Sequence, residues 1–120
     1  MNVLALAVAL VSSPAAAGMC PRWGEAVQVG ALDPALLPEV SGLAVSRKWE
    51  RLYHHNDSGG GPWFYISDMA GGGLKRVSVE RFFPWDTEDI ALGPCGKSTC
   101  LFLGDIGDNA QARSSIQLAI

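Results

Sequence analysis

A chain of 120 residues, 48% hydrophobic and 18% charged with a formal net charge of −3, has the composition of a globular protein and excludes disordered and fibrous classes. Its nine basic residues are spread thinly, with no run longer than Arg47-Lys48 or Lys75-Arg76. That excludes the concentrated basic surface that nucleic-acid phosphates require.

Residues 3–11 form an unbroken apolar run of nine, too short for a bilayer span of ~20 residues. Ser12-Ser13-Pro14 and Ala15-Ala16-Ala17 follow, which matches the small-x-small pattern of a cleavage site. Residues 1–17 are therefore expected to be a signal peptide. The protein is expected to be secreted or periplasmic, without a transmembrane anchor. A buried N-terminal helix is the alternative. Residues 18–40 form an N-terminal extension in which Pro34 and Pro38 turn a loosely helical stretch, Asp33–Val40, into an expected turn.

From residue 40 onward, short β-type runs alternate with clusters of Gly, Pro, Asn and Asp. Strands are expected at Gly42–Ser46, Arg51–His55, Trp63–Ser67, Leu74–Glu80, Asp89–Leu92, Thr99–Leu103 and Ile116–Ile120. The fold class is all-β. "SGLAV" at 41–45 followed by "RLYHHND" at 51–57 resembles "EDIAL" at 88–92 followed by "CLFLGDI" at 100–106. The offset is 47 for the first pair and 49 for the second, and such a period with about four short strands is the pattern of a β-propeller blade, ~40–50 residues. Residues 41–120 then form a partial propeller, with blade one at about 42–80 and an incomplete blade two at about 88–120. A ring needs at least ~4 blades, so further blades are expected C-terminal to Ile120. A small two-sheet sandwich is the alternative.

Cys95 and Cys100 flank a turn-like Gly-Lys-Ser-Thr insert. In an oxidising compartment they are expected to form a disulfide, which stabilises so small a loop by only ~2 kcal/mol. A zinc site is the alternative, although His54 and His55 lack ligand-spaced partners. Cys20 is left to pair outside the chain or to stay free.

Asp57-Ser58-Gly59-Gly60 is close to the nucleophile stretch of chymotrypsin-like proteases, but the context excludes that reading. A triad draws its serine, histidine and aspartate from well-separated loops. Here His54 and His55 stand three and four residues before the serine on one strand, and Gly-x-Ser-x-Gly is absent. "HNDSGGG" reads instead as a strand ending in a polar turn, and "GDIGDN" at 104–109 is a second such turn at the equivalent point of the repeat.

Together, "SGLA", "HNDSG", "DTEDIA" and "GPCGKSTCLFLGDIGDN" resemble a group of secreted bacterial β-propeller proteins, similar in layout to the esterase-like phytase and lactonase-type propellers. The resemblance covers Ser41 to about Arg113 and implies a ring with more blades than this chain holds. It does not imply one reaction, because propellers host many functions.

Asp86, Glu88, Asp89, Asp105 and Asp108 fall within 23 residues that contain one basic residue, Lys97. Hard cations take carboxylate and amide oxygens. Asp57, Glu88, Asp89, Asp105, Asp108 and Asn109 are the expected ligands of a calcium ion at one end of the ring. An EF-hand is excluded, because the twelfth position from Asp105 is Ile116, where a glutamate is required. His55 and Asn56 are expected to face a ligand. The alternatives are ester or phosphoester hydrolysis, and a binding platform for a small molecule, peptide, glycan or envelope partner. Trp63, Phe64, Phe82 and Phe83 are expected mostly in the core, whereas Trp85 in Pro84-Trp85-Asp86 lies in a connection.

Overall fold

The structure is a computed structural model that describes residues 24–120. The expected signal peptide and Cys20 lie outside the described residues. Seven strands follow in chain order: β1 (Val40–Ser46), β2 (Arg51–Asn56), β3 (Trp63–Ser67), β4 (Lys75–Ser78), β5 (Thr87–Cys95), β6 (Ser98–Asp105) and β7 (Gln117–Ala119). They form two antiparallel meanders, β1-β2-β3-β4 and β5-β6-β7. The all-β expectation is met, with each expected strand found within a few residues.

The two sheets open in the same way. β1 starts at Val40 and β5 at Thr87, 47 positions later. Both then carry a register irregularity, between Val40 and Gly42 in one and between Thr87 and Asp89 in the other. The extra residues are Ser41 and Glu88, again 47 apart. A bulge of this kind bends the strand and re-aims one side chain. In the first sheet that side chain is a serine and in the second it is a carboxylate.

Strand period determines which faces meet. On β1 the inward positions are Gly42, Ala44 and Ser46, while Leu43 and Val45 point out. Small residues inside let β1 approach β5 closely, and the shared core is Ala44, Phe82, Ile90 and Leu103, bordered by Tyr53, Phe64 and Leu101. Gly42 is needed for this approach. A methyl there would run into the His55 imidazole from the neighbouring strand and into the Ile90 side chain from the other sheet.

β5 and β6 run on to Cys95 and Ser98, further than the Gly-Pro signal at 93–94 leads one to expect. The reason is position. β5 is an edge strand of its sheet, where a proline costs no ladder bond if its nitrogen faces away from the partner. Gly96 at φ 60° makes the reversal, and the Cys95–Cys100 disulfide closes it across a Cα separation of 5.7 Å. Before β1, Asp33 accepts the Ala35 amide on its side chain and the Leu36 and Leu37 amides on its carbonyl, which forms the turn expected at Asp33–Val40.

Gly42→Ala is expected to destabilise the fold by about 1–3 kcal/mol through overpacking. Urea unfolding monitored by tryptophan fluorescence measures it, and an unchanged midpoint would contradict this packing.

Candidate metal centre

Asp105 ends β6 with its side chain wholly buried. Its Oδ1 accepts the backbone amides of Trp85 (2.9 Å) and Asp86 (2.6 Å) and the Arg113 Nη1 (3.3 Å). Its Oδ2 accepts Arg113 Nη2 and the Gln117 Nε2 (3.3 Å). Arg113 also donates from Nη1 to the Gly107 carbonyl (2.7 Å) and from Nε to the Ser115 carbonyl (3.1 Å). One carboxylate thus ties the connection before β5, the loop after β6 and the start of β7 to one another. Burial alone would push the Asp105 carboxyl up, but Arg113 and the Asp86 and Trp85 amides outweigh it and hold its pKa below the ordinary aspartate value.

The first repeat has a weaker version of this tie. Asn56, at the end of β2, accepts the Glu39 amide (3.4 Å) and donates to the Leu36 carbonyl (3.1 Å). Glu39 and Asp86 are again 47 apart. The Asp57 amide donates to the Glu39 carbonyl (2.9 Å), and the Gly107 amide to the Asp86 carbonyl (3.0 Å).

These ties bring Asp57, Asp86 and Glu88 together, and one carboxylate oxygen from each lies within 4.8 Å of the others. Asp57 comes from the turn after β2, Asp86 from the connection into β5 and Glu88 from the β5 bulge. The cluster therefore spans both repeats. Asp86 is only 6% exposed, and its Oδ1 is buried with no hydrogen-bond partner. Its Oδ2 accepts the Asn109 Nδ2 at 3.3 Å. Gly107 closes the site from behind, since a methyl there would overlap the Asp86 and Glu88 carboxylates.

Three of the residues expected as ligands are thus in or against the cluster: Asp57, Glu88 and Asn109. The others are elsewhere. Both Asp105 oxygens are occupied by internal donors. Asp108 caps its own loop, accepting the amides of Ala112 (2.8 Å) and Arg113 (3.2 Å). Asp89 is exposed and accepts the Ile90 amide (2.8 Å). His55 is 1% exposed, with Nδ1 against the Asn56 carbonyl (2.8 Å) and its ring against Gly42, so it is turned into the fold and away from the carboxylate cluster's three members. The Asn56 amide is committed to Leu36 and Glu39.

Asp86 is not among the expected ligands, because its place in the cluster depends on the path of the connection before β5, which Asp105 holds through the Trp85 and Asp86 amides.

His54 is buried too, and its Nε2 meets the Ser67 hydroxyl at 3.0 Å. That hydroxyl donates to the Asp68 carbonyl, so Nε2 carries the proton and donates to it. Burial lowers the His54 pKa. Beside the cluster lies a cleft of about 210 Å³ lined by Ser58, Trp85, Asp86, Asn109 and Arg113 among others. Trp85 is exposed, as expected for a connection, and Phe82 is buried, but Phe83 is exposed rather than in the core.

Two acid limbs of stability follow. The folded state resists protonating His54, so stability falls as pH drops below the ordinary histidine value of ~6.5. The folded state keeps Asp105 ionised, so a second loss sets in as pH drops through the ordinary aspartate value of ~3.9 toward the lower folded one. Melting temperature against pH measures both. Asp105→Asn is expected to lower stability at neutral pH and to flatten the second limb, and an unaltered limb would contradict the assignment. Compared with protein-family models, curated proteins and solved structures, the chain matches none.

Proposed function

We propose that this chain is a cation-binding part of an exported β-propeller protein, in which calcium held by Asp57, Asp86 and Glu88 bridges two successive blades. The observation that carries the cation reading is the meeting of three carboxylates from two repeats, one of them nearly buried with an unpartnered oxygen. Carboxylates held close together repel one another, and a buried oxygen without a donor, here the Asp86 Oδ1, is costly. A divalent ion removes both costs, and the Arg113 charge is already matched by Asp105.

The donor set selects the ion. It contains oxygen alone, which suits a hard cation rather than zinc or copper. Calcium takes ~6–8 oxygens in adaptable geometry, whereas magnesium demands a near-ideal octahedron. A cluster drawn from a turn, a connection and a bulge suits the adaptable ion. The Asn109 amide oxygen is the nearest further protein donor if the amide turns over.

Export is supported by the residue pattern at 1–17 and by the Cys95–Cys100 disulfide, a bond of oxidising compartments. No helix among the described residues is long and apolar enough to cross a membrane. The blade reading is supported by the four-strand meander and by the repeated strand starts and bulges at an offset of 47.

Calcium is expected to raise the melting temperature, by the equivalent of ~2.7 kcal/mol at a hundredfold excess over the dissociation constant. Asp86→Asn combined with Glu88→Gln should remove that rise, while Asp89→Asn should keep it. The proposal fails if the double variant retains the rise, or if calcium leaves the melting temperature of the natural chain unchanged.

A further inference from the structure

We propose that the cleft beside the cation cluster binds a neutral sugar through adjacent hydroxyls, held by the cation on one wall and by the Trp85 indole on the other. This rests on the cation reading of Asp57, Asp86 and Glu88. Trp85 is 60% exposed, yet it is not loosely held. Its amide is bonded to the buried Asp105, and the Arg113 guanidinium lies 5.5 Å from the ring centroid. Arg113 therefore covers part of the indole and fixes its attitude. Asp86, the next residue, belongs to the cluster and lines the same cleft as the indole, so the two walls meet on one backbone segment at the Asp86 edge of the cation site.

The two walls ask for different things. An aromatic face carries negative charge density and attracts positively polarised C–H groups. A cation held by three carboxylates keeps coordination positions open within its ~6–8 oxygens. The Ser58 hydroxyl and the Asn109 amide, both exposed in the cleft, add hydrogen-bonding groups. A ring with an apolar C–H face and neighbouring hydroxyls on its edge satisfies all of these together.

Charge separates this ligand from an anion. Asp57, Asp86 and Glu88 carry three negative charges, so a divalent cation leaves the centre at about −1. Arg113 adds no free positive charge, being paired with Asp105, and Asp108 adds a further carboxylate to the cleft. The local field therefore opposes a phosphate or carboxylate ligand and is indifferent to a neutral polyol.

The test uses the full chain. Terbium luminescence first reports the cation site, and calorimetric titration with mannose, galactose and glucose in calcium then reports the sugar. At least one hexose should bind, EDTA should abolish that binding, and inorganic phosphate should not compete. Trp85→Ala should weaken the sugar about tenfold or more while terbium affinity stays unchanged, and Trp85→Phe should restore part of it. Terbium binding with no hexose binding overturns the sugar proposal alone. Hexose binding that survives EDTA or Trp85→Ala overturns it as well. No terbium binding overturns the cation reading, and this inference falls with it.

Discussion

The Asp105 carboxylate is the interaction on which the second half of the molecule depends. It sits at the end of β6, out of water, and gathers donors from three segments that are distant in sequence: the connection at 85–86, the loop at Arg113 and the entry to β7 at Gln117. A buried carboxylate is tolerated only when its donors are supplied, and here the donors are the fold itself. Without it, the Trp85 and Asp86 amides lose their acceptor, and the path of Pro84-Trp85-Asp86 is left to the Gly107 amide on the Asp86 carbonyl and to the Gln117 and Asn109 side chains. That path aims Asp86 at Asp57 and Glu88 and leaves the indole of Trp85 facing outward.

The equivalent position in the first repeat holds Asn56, a neutral side chain with a lighter version of the same task. Both repeats therefore use the residue closing the second strand to capture the amide of the residue preceding the first. What differs is the chemistry around that scaffold. The first repeat has Glu39, Ser41 and Ser58 where the second has Asp86, Glu88 and Gly107. The carboxylate that only the second repeat has is Glu88, whose counterpart is Ser41, and the turn after β2 contributes Asp57 to the Asp86 and Glu88 pair. One duplicated backbone plan thus presents an acidic cluster between its halves.

Much of the fold was legible from the sequence because strands announce themselves by alternation and by the glycines, prolines and asparagines between them. The strand expected at Trp63–Ser67 has the same bounds as β3. The β5–β6 hairpin ran longer than expected because Gly93 and Pro94 break a central strand but not an edge strand. The site was less legible. Asp105 and Asp108 have the right chemistry for a cation, but nearby amides and a guanidinium claim their oxygens first, and which amides lie near depends on loop path. His55 lies on a strand whose alternation turns it inward against Gly42. Asp57 and Glu88 could be picked by residue type and position, whereas the approach of Asp86 depends on the path of the connection before β5 and on the bulge that re-aims Glu88.

The most direct test of the proposed cation site is anomalous diffraction from crystals of the protein grown with a lanthanide in place of calcium. The account predicts an anomalous peak between the Asp57, Asp86 and Glu88 carboxylates, with Asp105 still bonded to Arg113 and outside the coordination sphere. A peak centred on Asp105 and Asp108, or density at the cluster showing the carboxylates turned apart with no ion between them, would contradict it.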